Sequence, residues 1–297
     1  MFTGSLVAIV TPLAADGSLD LPAWDRLLDF HVAAGTDGIV VAGTTGESPA
    51  LSLEEIDELT RRAVARCRGK TRTIVGCGTN STADTVARTR ALSRLGVDGV
   101  MLVTPYYNKP PQEGLYRHFT AAADVSAVPV ILYNVPGRTS VDLSPATVTR
   151  LARHPQIVAL KEATGTQQRT RELVDVCPAD FALLSGDDAT FVDFIALGGK
   201  GVISVTANVA PRRMREACAA ALAGDLATGR ALDASLQPLH RDLFVEANPI
   251  PVKWAVGRMG LIGSALRLPL VEMSAVHQET ILRAMRTAGI ELKDQAA

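Results

Sequence analysis

Eight short, almost uninterrupted apolar runs, each followed by a stretch with helical periodicity, constrain this chain more than any other feature. They fall at 5–10, 38–41, 73–76, 99–103, 128–132, 157–160, 181–184 and 201–205. A strand with one wet face alternates polar and apolar residues, whereas a strand covered by helices on both faces does not. The runs therefore predict parallel strands joined by crossover helices. Over 51–67, Leu53, Ile56, Leu59, Ala63 and Val64 share one helical face, and Ser52 with Glu55 has the spacing of a capping box. Over 81–95, Val86, Ala87, Leu92 and Leu95 do the same ahead of Gly96, a helix terminator.

Eight strand–helix units within about 220 residues come close to the ~250 typical of a (β/α)8 barrel. A doubly wound open sheet is the competing α/β architecture. Its signature would be an early dinucleotide turn, and the nearest candidate, Gly76-x-Gly78-x-x-Ser81, lacks the last glycine. The count of eight favours the TIM barrel. Past residue 222 the strand signal stops, and 225–245, 249–259 and 270–288 read as helices. The expected organisation is a catalytic barrel over 1–222 with a C-terminal helical extension, 223–297, packed on it.

Composition excludes several function classes. Thirty Lys+Arg against 31 Asp+Glu leave a net charge of −1, which suits neither a nucleic acid nor a membrane surface as partner. No apolar run approaches the ~18 residues of a membrane span, and the first residues lack a basic leader. Cys67, Cys77, Cys177 and Cys218 form no C-x-x-C pair. The expectation is a soluble, reduced, cytoplasmic protein. The five histidines are scattered away from the predicted strand ends, which disfavours a metal-dependent aldolase. Asp187-Asp188 suits a helix N-cap better than Mg²⁺, and Gly198-Gly199-Lys200-Gly201 precedes the eighth strand, so it reads as a turn at the opposite rim.

In a barrel the active site is built at the C-terminal strand ends. There Lys161 directly follows the sixth apolar run. Burial of a lysine favours its neutral amine, the form that makes a Schiff base with a carbonyl compound. A snorkelling lysine or an ion-pair partner of Glu162 is the plainer use. The other five lysines, Lys70, Lys109, Lys200, Lys253 and Lys293, are expected in loops or at helix ends. Tyr133 ends the neighbouring strand as either a proton carrier or an aromatic plug. Thr44 and Thr45 are turn residues or a cradle for a small carboxylate, and Tyr106 and Tyr107 are core or interface aromatics. Arg138 is a solvated arginine or a carboxylate clamp. Three of the four tyrosines share this rim.

These segments are recognisable. Gly43-Thr44-Thr45-Gly46-Glu47-Ser48, Thr104-Pro105-Tyr106-Tyr107-Asn108-Lys109-Pro110, Tyr133-Asn134-Val135-Pro136-Gly137-Arg138-Thr139 and Lys161-Glu162-Ala163-Thr164-Gly165 resemble those of the dihydrodipicolinate synthase family, within the class I Schiff-base pyruvate lyases. Ser185-Gly186-Asp187-Asp188, Gly201-Val202-Ile203-Ser204-Val205 and Asn248-Pro249-Ile250-Pro251-Val252-Lys253 match as well, so the resemblance spans essentially the whole chain.

The resemblance implies condensation of pyruvate with L-aspartate 4-semialdehyde in the diaminopimelate and lysine pathway, without an organic cofactor or a metal. It implies a Schiff base on Lys161, a proton relay of Tyr133, Thr44 and a neighbouring subunit's Tyr107, and Thr45, Ile203 and Gly186 around the bound substrate. Arg138 would hold the semialdehyde carboxylate, and the assembly would be a homotetramer of two tight dimers. In lysine-inhibited members an allosteric pocket uses positions Asn80, Asp84 and Tyr106, with polar residues where this chain has Leu53 and Ile56. Those two apolar side chains predict weak or absent inhibition by lysine. The remaining alternatives are another lysine-dependent pyruvate aldolase, such as a neuraminate or keto-deoxy sugar acid lyase, and a non-catalytic pyruvate-binding regulator.

Overall fold

The computed structural model, which describes residues 2–292, closes the eight runs into one parallel barrel in sequence order. Its strands are β1 (Gly4–Ala8), β2 (Gly38–Val41), β3 (Arg72–Gly76), β4 (Gly99–Val103), β5 (Val130–Asn134), β6 (Ile157–Glu162), β7 (Ala182–Ser185) and β8 (Gly201–Ser204). Closure by β1 pairing with β8 removes both sheet edges.

Strand alternation divides the apolar residues into two cores. Leu6, Val40, Ile74, Met101, Ile131 and Ile203 fill the barrel, while Val7, Ile39, Val41, Val75, Val100 and Leu102 pack outward against the helices. This double burial is why the runs are continuously apolar.

Helix Leu53–Cys67 starts as its sequence predicts, with the Ser52 hydroxyl accepting from the Glu55 amide at 3.2 Å and Glu55 Oε2 accepting from the Ser52 amide at 2.9 Å. Such a cap contributes about 1 kcal/mol. The helix predicted over 81–95 is shorter, Thr82–Leu92, and a turn carries the chain to Gly96 at φ +85°. Strands β5 and β6 run two residues beyond their apolar stretches, because the ladder pairs Tyr133 with Lys161 and Asn134 with Glu162.

The segment expected as one helix over 225–245 is two, Leu226–Ala234 and Gln237–Asp242. Pro238 lacks the amide that would continue the first. Helix Ile250–Arg258 forms as expected. Residues 270–274 are irregular, and the last helix begins only at Gln278 after a 3₁₀ turn, Ala275–His277. Among the described residues, no helix is long and apolar enough to cross a membrane.

Candidate active site

Alternation along β6 sends Ala159 and Lys161 into the barrel and Leu160 and Glu162 out toward the helices. Lys161 is 5% exposed, and its Nζ lies 4.3 Å from the centre of the Tyr133 ring. Burial brings its pKa down to about 8, against an upward pull from Asp188 and a further downward push from Arg138. About a tenth of such an amine is neutral at pH 7. Glu162 is not its partner. The Glu162 carboxylate accepts from Asn134 Nδ2 at 3.0 Å and the Thr164 amide at 2.8 Å, and faces Arg169 at 3.7 Å. A Cβ at Gly186 would come within 3.0 Å of Lys161 Cε and 2.7 Å of Ala163 Cβ, so a glycine there leaves the lysine its room.

Beside it, Tyr133 is also buried, which pushes its phenol up to about 12 although Arg138 and a side-chain hydrogen bond with Thr44 oppose this. Its proton therefore stays in place at neutral pH, available for transfer. Thr44 belongs to a tight turn after β2, closed by Gly46 N to Gly43 O at 3.1 Å and Glu47 N to Thr44 O at 3.1 Å. The Thr45 hydroxyl accepts from Asn248 Nδ2 at 3.0 Å, and Arg138 Nη2 donates to the Asn248 carbonyl at 3.2 Å. Ile203 faces inward from β8 at 1% exposure.

The turn is anchored from the C-terminal helices. Glu47, at φ +57°, sends its carboxylate to Lys253 Nζ at 2.5 Å and to the Arg267 amide at 3.1 Å. Lys253 also donates to the Ala265 carbonyl at 2.6 Å. The expectation of Lys253 in a loop or at a helix end is corrected: it lies within Ile250–Arg258 and is fully buried. Asp188 likewise caps no helix of its own; its Oδ2 accepts from the Val205 and Thr206 amides at 2.9 and 2.8 Å, tying β7 to the turn after β8.

Tyr107 does not join the site of its own chain. It is 88% exposed at φ +74°, in a loop pinned by Asn108 Nδ2 to the Asn80 carbonyl at 2.8 Å. Asn80 and the half-buried Tyr106 are in the same neighbourhood, with Asp84 exposed on the first turn of Thr82–Leu92. Ile56, expected to line an effector pocket with Leu53, is instead fully buried between helix and barrel, while Leu53 is 37% exposed.

Residues 1–288 match the model of the dihydrodipicolinate synthetase family. The chain belongs to that family. It is 56% identical over 290 residues to a 4-hydroxy-tetrahydrodipicolinate synthase of Alcanivorax borkumensis, covering 98% of this chain and 99% of that protein. Its fold superposes with a TM-score of 0.96 and 46% identity on the chloride-inhibited dihydrodipicolinate synthase of Acinetobacter baumannii complexed with pyruvate, over 98% and 100% of the two chains. The enzyme of Aquifex aeolicus matches with the same TM-score of 0.96 at 43% identity, over 99% and 100%.

As a member of this family the chain is an enzyme, and Lys161 and Tyr133 are buried side by side while Arg138 is an exposed side chain on the segment after β5. Among the described residues, no group of three or more His, Cys, Asp or Glu side chains converges as a metal site. The functions of Asn248, Lys253 and Asp188 escaped sequence reasoning. The only signal was their presence in recognisable segments, since their partners lie far away in the chain.

Proposed function

We propose that this chain is a 4-hydroxy-tetrahydrodipicolinate synthase. The Lys161 amine adds to the keto carbon of pyruvate, and loss of water leaves an iminium. Removal of a methyl proton then gives the enamine. The enamine carbon attacks the aldehyde of L-aspartate 4-semialdehyde, forming the new C–C bond. The substrate's own amine then displaces Lys161 from the iminium, closing the ring and releasing (4S)-4-hydroxy-2,3,4,5-tetrahydrodipicolinate.

In this reading Tyr133, Thr44 and Tyr107 of a neighbouring subunit carry the protons. Thr45, Gly186 and the Ile203 backbone surround pyruvate, and Arg138 binds the semialdehyde carboxylate. A second charged carboxylate needs a cationic partner, and the sugar-acid aldehydes of sister enzymes need none at that position. The outward-pointing Tyr107 supports assembly at least as a dimer, and a tetramer of two tight dimers is the proposed state. A cytoplasmic location belongs to the same reading.

The observation that carries the proposal is the buried Lys161 amine, at a pKa of about 8, beside the Tyr133 ring. Borohydride reduction with pyruvate should add one pyruvate-derived group to the Lys161 peptide, and a coupled assay should prefer the semialdehyde over sugar-acid aldehydes. Labelling of another residue, or none, would overturn the assignment.

A further inference from the structure

Asp188, on the turn after β7, is a buried carboxylate with one of its oxygens unused. It is 3% exposed. Its Oδ2 takes the Val205 and Thr206 amides, while Oδ1 is buried and accepts no hydrogen bond among the described residues. A buried carboxylate oxygen without a partner is costly unless a positive charge offsets it. Its neighbour Asp187 does the local structural work. Asp187 Oδ2 accepts from the Thr190 hydroxyl at 2.6 Å, and the Ser185 hydroxyl donates to the Asp187 carbonyl at 2.8 Å. The ladder pairs Lys161 with Leu184 and Glu162 with Ser185, and the Gly186 amide donates to the Glu162 carbonyl at 2.7 Å. These bonds lay the turn that carries Asp188 against the end of β6. Asp188 attracts the Lys161 ammonium, and Arg138, on the segment after β5, repels it. Tyr133 presents its ring from β5, and Glu162 turns away toward Arg169. Behind the turn after β8, His240 bonds the Thr206 hydroxyl at 2.8 Å and the Asp233 carboxylate at 2.9 Å.

We propose that Asp188 is a positioning residue whose carboxylate, held in place by the two amides after β8, serves as the counter-charge of the iminium formed on Lys161. The inference rests on the reaction proposed above. There the neutral amine adds to the keto carbon, the carbinol oxygen takes up a proton and leaves as water, and the nitrogen keeps a positive charge. Bulk water does not reach that buried charge, and a fixed anion offsets the loss of hydration. The same attraction acts on the free ammonium. Converting ammonium to iminium with loss of water changes no net charge, so on the acid side the effect of Asp188 cancels. On the alkaline side the amine starts neutral and gains a charge as the iminium forms, and there Asp188 favours the product.

Asp188→Asn removes the charge and keeps an oxygen for the Val205 and Thr206 amides. Borohydride quenching of the full chain with graded pyruvate, read by intact mass, gives the half-saturating pyruvate concentration at each pH. In the parent this concentration should begin to rise near pH 8, where the Lys161 amine loses its proton. In Asp188→Asn the rise should begin about one pH unit lower. At pH ~9 the variant's increase over its own acid-side value should be about tenfold greater than the parent's. Should Asp188→Asn fail to fold, Asp188→Ser keeps an acceptor without the charge. A rise that begins at the same pH in both proteins overturns the proposal. So does a loss equal at every pH, which is what a purely structural role would give. A parent that forms no adduct at Lys161 overturns the Schiff-base reading and this inference together, whereas a parent adduct with an unmoved variant overturns the role of Asp188 alone.

Discussion

Glu47 and Lys253, 206 residues apart in the chain, meet at 2.5 Å with their side chains 1% and 0% exposed. The pair joins the turn that carries Thr44 and Thr45 to the C-terminal helix Ile250–Arg258. Asn248, two residues ahead of that helix, holds the Thr45 hydroxyl at 3.0 Å. The C-terminal segment is therefore part of the scaffold of the site. Lys253→Met would leave the Glu47 charge buried without its cation, a loss of about 3–5 kcal/mol. Urea unfolding should read that loss. Replacing both partners, Glu47→Gln with Lys253→Met, should recover much of the stability while turnover stays low, because the turn remains unanchored. Wild-type turnover in the double variant would show that the pair does not position Thr44.

Lys161 gives a pH-dependent prediction with a definite sign. Its folded pKa of about 8 lies below the 10.5 of the free side chain. Below pH ~8 the amine is charged in both states, and its burial costs about 3 kcal/mol, at 1.36 kcal/mol per pKa unit. Between pH ~8 and ~10.5 the unfolded chain binds more protons, so stability rises with pH across that window. Lys161→Met should therefore raise stability at pH 7 by up to about 3 kcal/mol, an advantage that shrinks above pH ~8, while abolishing activity. Thermal unfolding scans across pH check this. A variant less stable than the parent at pH 7 would contradict the buried-cation account.

Arg138→Ala should act chiefly on the aldehyde substrate. Loss of a charge-assisted carboxylate contact of about 1.5–3 kcal/mol corresponds to a KM increase of roughly tenfold to a hundredfold. The pyruvate KM should change far less. Steady-state kinetics with each substrate varied in turn separates the two, and an unchanged aldehyde KM would remove Arg138 from its proposed place.

The exposed Tyr107 predicts sites shared between subunits. Tyr107→Phe and Lys161→Met chains should each be nearly inactive alone. Mixed and reassociated, half of the resulting dimers are hybrids with one complete site of two, so activity should return to about a quarter of the parent's. Activity that does not return on mixing would mean that Tyr107 serves no neighbouring site.

Lysine should inhibit weakly or not at all. The apolar Leu53 gives an amino acid no hydrogen-bond partner, and Ile56 is too buried to offer any surface. Initial rates with added L-lysine should be flat through the sub-millimolar range; inhibition there would refute the prediction.

The barrel was legible in the amino-acid order because each strand is buried on both faces, and continuous apolar runs with intervening helical periodicity report that directly. Lys161 stood out for the same local reason, a cation at the end of an apolar run, and Ser52 with Glu55 announced its helix start. The strand ends at Tyr133–Asn134 and Lys161–Glu162 were not legible, since polar residues become strand only when the neighbouring ladder claims their amides. That Lys161 is not the ion-pair partner of Glu162 was decided only by the side-chain alternation of β6, which turns the two to opposite faces. The Glu47–Lys253 pair, the Asn248 contact with Thr45 and the Asp188 bridge to β8 lie wholly beyond local pattern. Electrostatic and hydrogen-bond partners are chosen by proximity in space, and only closure of the barrel brings those residues within reach of one another.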